Sequence, residues 1–136
     1  MNVAALTSGI NHLGLTVLDI QQTADFFVRV LNWSQGDTDS SYPKTSVSDG
    51  KSRLTLWECK ADHPPLPFNR HANVGLHHLA LQIDEHAVFI EAAEAVRSWP
   101  YGEIEFMPEP MGNGPRVQTK FVLDGGPRMK LIWPGP

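Results

Sequence analysis

Ile10-Asn11-His12-Leu13-Gly14-Leu15-Thr16-Val17 and, 66 residues later, Leu76-His77-His78-Leu79-Ala80-Leu81-Gln82-Ile83 decide the reading of the fold. In the first stretch Leu13, Leu15 and Val17 fall on one face, and His12, Gly14 and Thr16 on the other. That is the period of a strand with one buried face. The second stretch repeats the alternation, with His78 in register with His12. Asp19 then stands where a helix N-cap belongs, and Ile20, Ala24, Phe27, Val28 and Leu31 follow at helical spacing, with a stop near Trp33. Asp84 and Glu85 are expected to cap a second helix, whose apolar stripe is Phe89, Ala92, Ala93 and Val96.

Each helix is followed by strand patterns. Thr45–Ser48 and Arg53–Glu58 flank the turn pair Asp49-Gly50, while Glu103–Met107, Val117–Leu123 and Met129–Trp133 are separated by Gly112–Pro115 and Gly125–Pro127. The chain therefore reads strand–helix–strands twice. This predicts an α+β fold, two paired β-α-β-β-β modules forming a cup-shaped mixed sheet with the helices outside. Module 1 covers about 9–59 and module 2 about 75–134. A connection at 60–74 carries Pro64, Pro65 and Pro67, and residues 1–136 make a single domain. One helix covers only one face of a small sheet, so the second faces of the two modules are expected to wall a shared cavity.

Composition narrows the function. The chain has 136 residues, 41% hydrophobic and 19% charged, which fits a globular domain with its own core. Eleven Lys+Arg against fifteen Asp+Glu leave a net charge of −4, without the basic excess that nucleic acid or an anionic membrane surface selects. The single cysteine, Cys59, rules out an internal disulfide and a Cys-rich zinc site. The stretch before Asp19 has no basic n-region and is interrupted by polar residues, so neither a signal nor a span is expected. The expectation is a cytoplasmic protein that binds a small molecule, with no nucleic-acid or membrane partner.

The duplicated module with a histidine on the first strand of each copy resembles the vicinal oxygen chelate superfamily, which includes glyoxalase I, bleomycin- and fosfomycin-resistance proteins and extradiol dioxygenases. The resemblance rests on Asn11–Val17 followed by Ala24–Leu31, on His78–Ile83, and on the closing Asp124–Ile132. It implies a chelate made from first-strand residues, here His12 and His78, and a carboxylate on a last strand. A divalent metal (zinc, nickel, manganese or iron) is the cofactor it suggests, and a homodimer is the assembly. The sequence departs from that pattern. Lys130 occupies the last-strand position in module 2, and Thr55 is its counterpart in module 1. An ammonium repels a divalent cation, and two imidazoles alone fall short of the three protein ligands of a catalytic zinc site. Glu58 is a weak third candidate, because strand parity sets it with Leu54 and Leu56 unless a bulge intervenes.

Parity also collects a pocket. Thr55, Trp57, Arg128, Lys130 and Gln82 share a face with His12 and His78 and are the ligand-binding candidates, with Lys130 the candidate catalytic residue. Arg53 and Arg128, near strand starts, would ordinarily be solvated. A lysine among imidazoles suits an anion better than a cation, and desolvation would equip it as a base or an oxyanion stabiliser. Two readings follow: a binder or enzyme for a small anionic molecule with a degenerate metal site, or a metal-dependent lyase of lactoylglutathione-lyase type using His12, His78 and a further ligand. Wild-type metal content divides them.

Overall fold

The computed structural model describes residues 3–136. Its elements are β1 (Leu13–Val17), α1 (Ile20–Leu31), β2 (Ser34–Gln35), β3 (Lys44–Ser48), β4 (Arg53–Glu58), β5 (Leu79–Gln82), α2 (His86–Arg97), β6 (Gly102–Pro110), β7 (Val117–Leu123) and β8 (Arg128–Trp133). The β-α-β-β-β unit occurs twice. Each makes a four-stranded mixed sheet, ordered β1-β4-β3-β2 and β5-β8-β7-β6. In both, the first strand runs parallel to the last, with the helix covering the crossover, and the remaining pairs are antiparallel. The α+β architecture of paired modules is as the sequence predicts, with two four-stranded sheets rather than one continuous wall.

Alternation sets which face is buried. Leu15, Val17, Leu54, Leu56 and Val47 point inward in module 1, as Phe121, Leu123, Met129 and Leu131 do in module 2. They meet Phe26, Phe27 and Phe89 of the helices in one apolar cluster that spans both modules. Phe26 is the bridge: its ring lies 5.4 Å from Phe27, and 5.5 and 5.8 Å from Phe121 and Trp99 of the other module. Burying a ring of this size is worth about 2–3 kcal/mol. The turn at Gly125 also ties the modules together. Its φ of +58° favours glycine, and a Cβ there would collide with Leu18 at the end of β1.

Helix α1 starts as predicted: Asp19 Oδ1 accepts the Gln22 N–H at 2.9 Å, and Asn32 closes the helix in the left-handed region. Helix α2 does not. Glu85 occupies its N-cap position without a side-chain bond, while the Asp84 carboxylate accepts from Gln82 Nε2 at 2.8 Å. Asp84 also spends its backbone carbonyl on the Trp133 indole N–H, at 3.2 Å. No helix among the described residues is long and apolar enough to cross a membrane.

Candidate functional site

The outer faces of the two sheets are left without a helix, and the chemistry concentrates on that of module 2. Gln118 and Lys120 on β7 share this face with Arg128, Lys130 and Ile132 on β8, because the register pairs Gln118 with Ile132 and Lys120 with Lys130. On β6 the register slips between Ile104 and Phe106. Such a bulge sets two residues against one, and it turns Glu105 onto the same face. Glu105 accepts two bonds from Arg128, from Nε at 3.0 Å and Nη2 at 3.2 Å. Lys120 Nζ lies 3.9 Å from the same carboxylate, as does Arg70 Nη1 from the inter-module connection. A turn in which Asn69 Oδ1 accepts the His71 N–H presents Arg70 there.

Three cations thus surround a single carboxylate, with the Lys130 ammonium on the same face. Arg128 is 7% exposed and the Lys120 side chain 12%. Burial, and then the Arg128 charge, hold the Lys120 ammonium below the ordinary lysine range, with Glu105 pulling the other way. The hydrogen bond from Arg128 keeps the Glu105 carboxyl low, so it stays ionised. His78, half-buried just before β5, is depressed by burial first and then by Lys130 and Lys120. Its neighbour His77 is depressed by desolvation and then by Arg128. Their Nδ1 atoms stand 2.7 Å apart, so one proton serves both, and the histidines are neutral near pH 7. Arg128 Nη1 further donates to the His77 carbonyl at 3.0 Å. The arrangement can hold an anion between ammonium groups and offer it a neutral imidazole.

The other candidates are dispersed. His12 is exposed before β1, bonded through Nδ1 to Asn11 Oδ1 at 2.8 Å. It and His78 precede the edge strands of two different sheets. Thr55 lies opposite Gly14 and Ser46 on the outer face of module 1. Trp57 is half-buried on that face, its indole lying over Gly14. Tyr42 meets it edge-on at 5.1 Å in the wall of a cavity of about 620 Å³, and Lys44 Nζ caps the indole at 4.9 Å. Gln82 borders a separate groove of about 830 Å³ between α1, α2 and β5. Arg53 is exposed, but Arg128, expected to be solvated, is buried because Glu105 and the His77 carbonyl satisfy its guanidinium.

Among the described residues no donor set within one chain matches a chelated metal: no three His, Cys, Asp or Glu side chains are grouped to hold an ion. Lys130 stands at the position where the resemblance implies a carboxylate, and Glu58 Oε1 accepts the Ile20 N–H at 3.0 Å at the start of α1.

Sequence reading missed Lys120, Glu105, Gln118 and Arg70. For Lys120 and Gln118 a signal existed, since a β7–β8 hairpin turning at Gly125-Gly126 sets Lys120 against Lys130 and Gln118 against Ile132. For Glu105 the bulge reverses strand parity, and Arg70 lies in a segment without periodicity.

Residues 9–125 match the family model for the glyoxalase/bleomycin resistance protein/dioxygenase superfamily. No curated protein matches the sequence. Among solved structures, a glyoxylase/bleomycin resistance protein/dioxygenase domain from Frankia sp. EAN1pec aligns with a TM-score of 0.78 at 15% identity, covering 93% of this chain and 98% of that one. The fosfomycin resistance protein FosX from Listeria monocytogenes aligns at 0.69 and 18% identity, over 94% of each chain. A glyoxalase family protein from Enterococcus faecalis aligns at 0.71 and 18% identity, over 94% of this chain and 99% of that one.

Proposed function

Because the chain belongs to the glyoxalase/bleomycin resistance protein/dioxygenase superfamily, whose fold does not by itself fix a reaction, we propose that it takes a small anionic molecule on the outer face of module 2. Lys120, Lys130 and Arg128 hold the anion, beside the neutral imidazole of His78. One observation carries this reading: two lysines face each other across a ladder while Glu105, the carboxylate beside Lys120, is committed to Arg128. Partly buried positive charge in excess of its one carboxylate is costly, and a bound anion lowers that cost. If the bound molecule reacts, Lys130 is the group to stabilise a developing oxyanion and His78 the group to exchange a proton.

We propose further that the protein works as a cytoplasmic homodimer. Val3, Leu6 and Ile10 before β1, and Leu66 and Val74 in the connection, are exposed apolar side chains that a second copy would cover. Sedimentation at micromolar concentration is expected to show a dimer, and a monomer contradicts it.

Calorimetric titration with inorganic phosphate tests the site. Wild type is expected to show saturable binding at one site per chain. Lys120→Met and Lys130→Met should each weaken it tenfold or more, the value of a charge-assisted contact. No saturable binding by wild type would reject the proposal.

A further inference from the structure

We propose that Gln118 is a specificity-determining residue of this face, reading a hydroxyl group on the bound molecule, so that the site takes a small hydroxy acid rather than a bare anion. The inference rests on the anion site proposed above and names the class of molecule that fills it. Gln118 Oε1 is shut off from solvent and has no hydrogen-bond partner, the one buried side-chain nitrogen or oxygen in that condition among the described residues. Leaving such a group unpaired is costly, so its position calls for a partner.

The surroundings do not supply one. Across the ladder on β8 stands Ile132, which has no polar side-chain atom, and across on β6 stands Glu109, an acceptor. Lys120, the next residue on this face, has its ammonium turned toward Glu105. Two residues along a strand span about 7 Å. With long side chains at both positions, that interval admits a molecule of three or four carbons, its carboxylate at the lysines and its hydroxyl at Gln118. A hydroxyl both donates and accepts, and so satisfies the amide in either orientation of its oxygen and nitrogen. A bare anion leaves the amide unpaired, which is the condition under which a polar site discriminates between analogues.

The test compares lactate and 3-hydroxybutyrate with propionate and butyrate, titrated into the wild-type protein and followed by amide chemical shifts. At least one hydroxy acid is expected to bind tenfold or more tightly than its deoxy counterpart. Gln118→Leu should bring that ratio to about one, and Gln118→Met gives the same reading in a side chain of closer shape if the leucine variant fails to fold. Equal affinities in wild type, or a preference that survives both substitutions, would overturn the role of Gln118 while leaving the anion site standing. Binding of phosphate with none of the four acids would also overturn the hydroxy-acid assignment alone. Failure of phosphate as well would overturn the anion site itself.

Discussion

Lys120 and Lys130 face each other directly across the β7–β8 ladder, on the half of the sheet that no helix covers. Like charges placed opposite one another weaken a strand pair. The chain carries more carboxylates than cations, so the opposed pair is not a consequence of overall composition. Its local cost is one that the proposed bound anion would offset.

Removing one of the two ammonium groups should therefore separate stability from binding. Lys120→Met is expected to raise unfolding stability by about 0.5 kcal/mol, the scale of a cross-strand charge pair. Urea denaturation measures it, and a loss of stability above that scale would mean that Lys120 is chiefly a structural partner of Glu105.

Glu105 should behave in the opposite way. Its carboxyl is held low in the folded protein, so its contribution is present above its ordinary pKa and is lost as pH falls through the folded value. Glu105→Gln leaves the buried Arg128 without its carboxylate, at a cost of about 2 kcal/mol near neutral pH. The variant should also show a flatter loss of stability on acidification than wild type, read from melting temperatures between pH 7 and pH 3.

The pH dependence of binding follows from His78. Burial and two lysines depress its pKa, and a bound anion opposes those lysines and raises it. Binding then takes up protons, so phosphate affinity corrected for the ligand's own ionisation should rise as pH falls from 8 to 6. His78→Ala should abolish that rise. The same depressed pKa makes the free protein lose stability as pH falls below the ordinary histidine value of 6.5.

How much of this was legible in the sequence depends on the kind of signal. Leu13, Leu15 and Val17, the Asp19 cap and the limits of β4 and β7 follow from local alternation and capping, which one chain segment displays by itself. Strand β2 is two polar residues, made a strand only by pairing with Val47 and Ser48. β6 runs on to Pro110 despite Pro108, because an edge strand tolerates a missing donor. β5 begins only at Leu79, opposite Met129, so His78 lies in the loop before it. The site was half legible. Lys130 could be placed by parity and His78 by its repeat of His12, whereas Glu105 needed a bulge and Lys120 needed the hairpin register.

Gly125 gives a test of how the modules are joined. Gly125→Ala must adopt a positive φ and place a methyl group against Leu18. The conformational part costs about 1 kcal/mol and the overpacking about 1–3 kcal/mol more. Thermal melting should show the loss, and adding Leu18→Ala should recover the steric share of it. Absence of any recovery would place the cost elsewhere.

This face is proposed to hold an anion, with Lys130 at the last-strand position where the resemblance implies a metal-binding carboxylate. Calorimetry on wild type and Lys130→Glu, each titrated with phosphate and separately with zinc, nickel and manganese, tests it most directly. The account predicts phosphate binding by wild type, its loss in Lys130→Glu, and only weak divalent-ion binding by wild type. Tight stoichiometric metal binding by wild type, abolished by His12→Ala or His78→Ala, would contradict it.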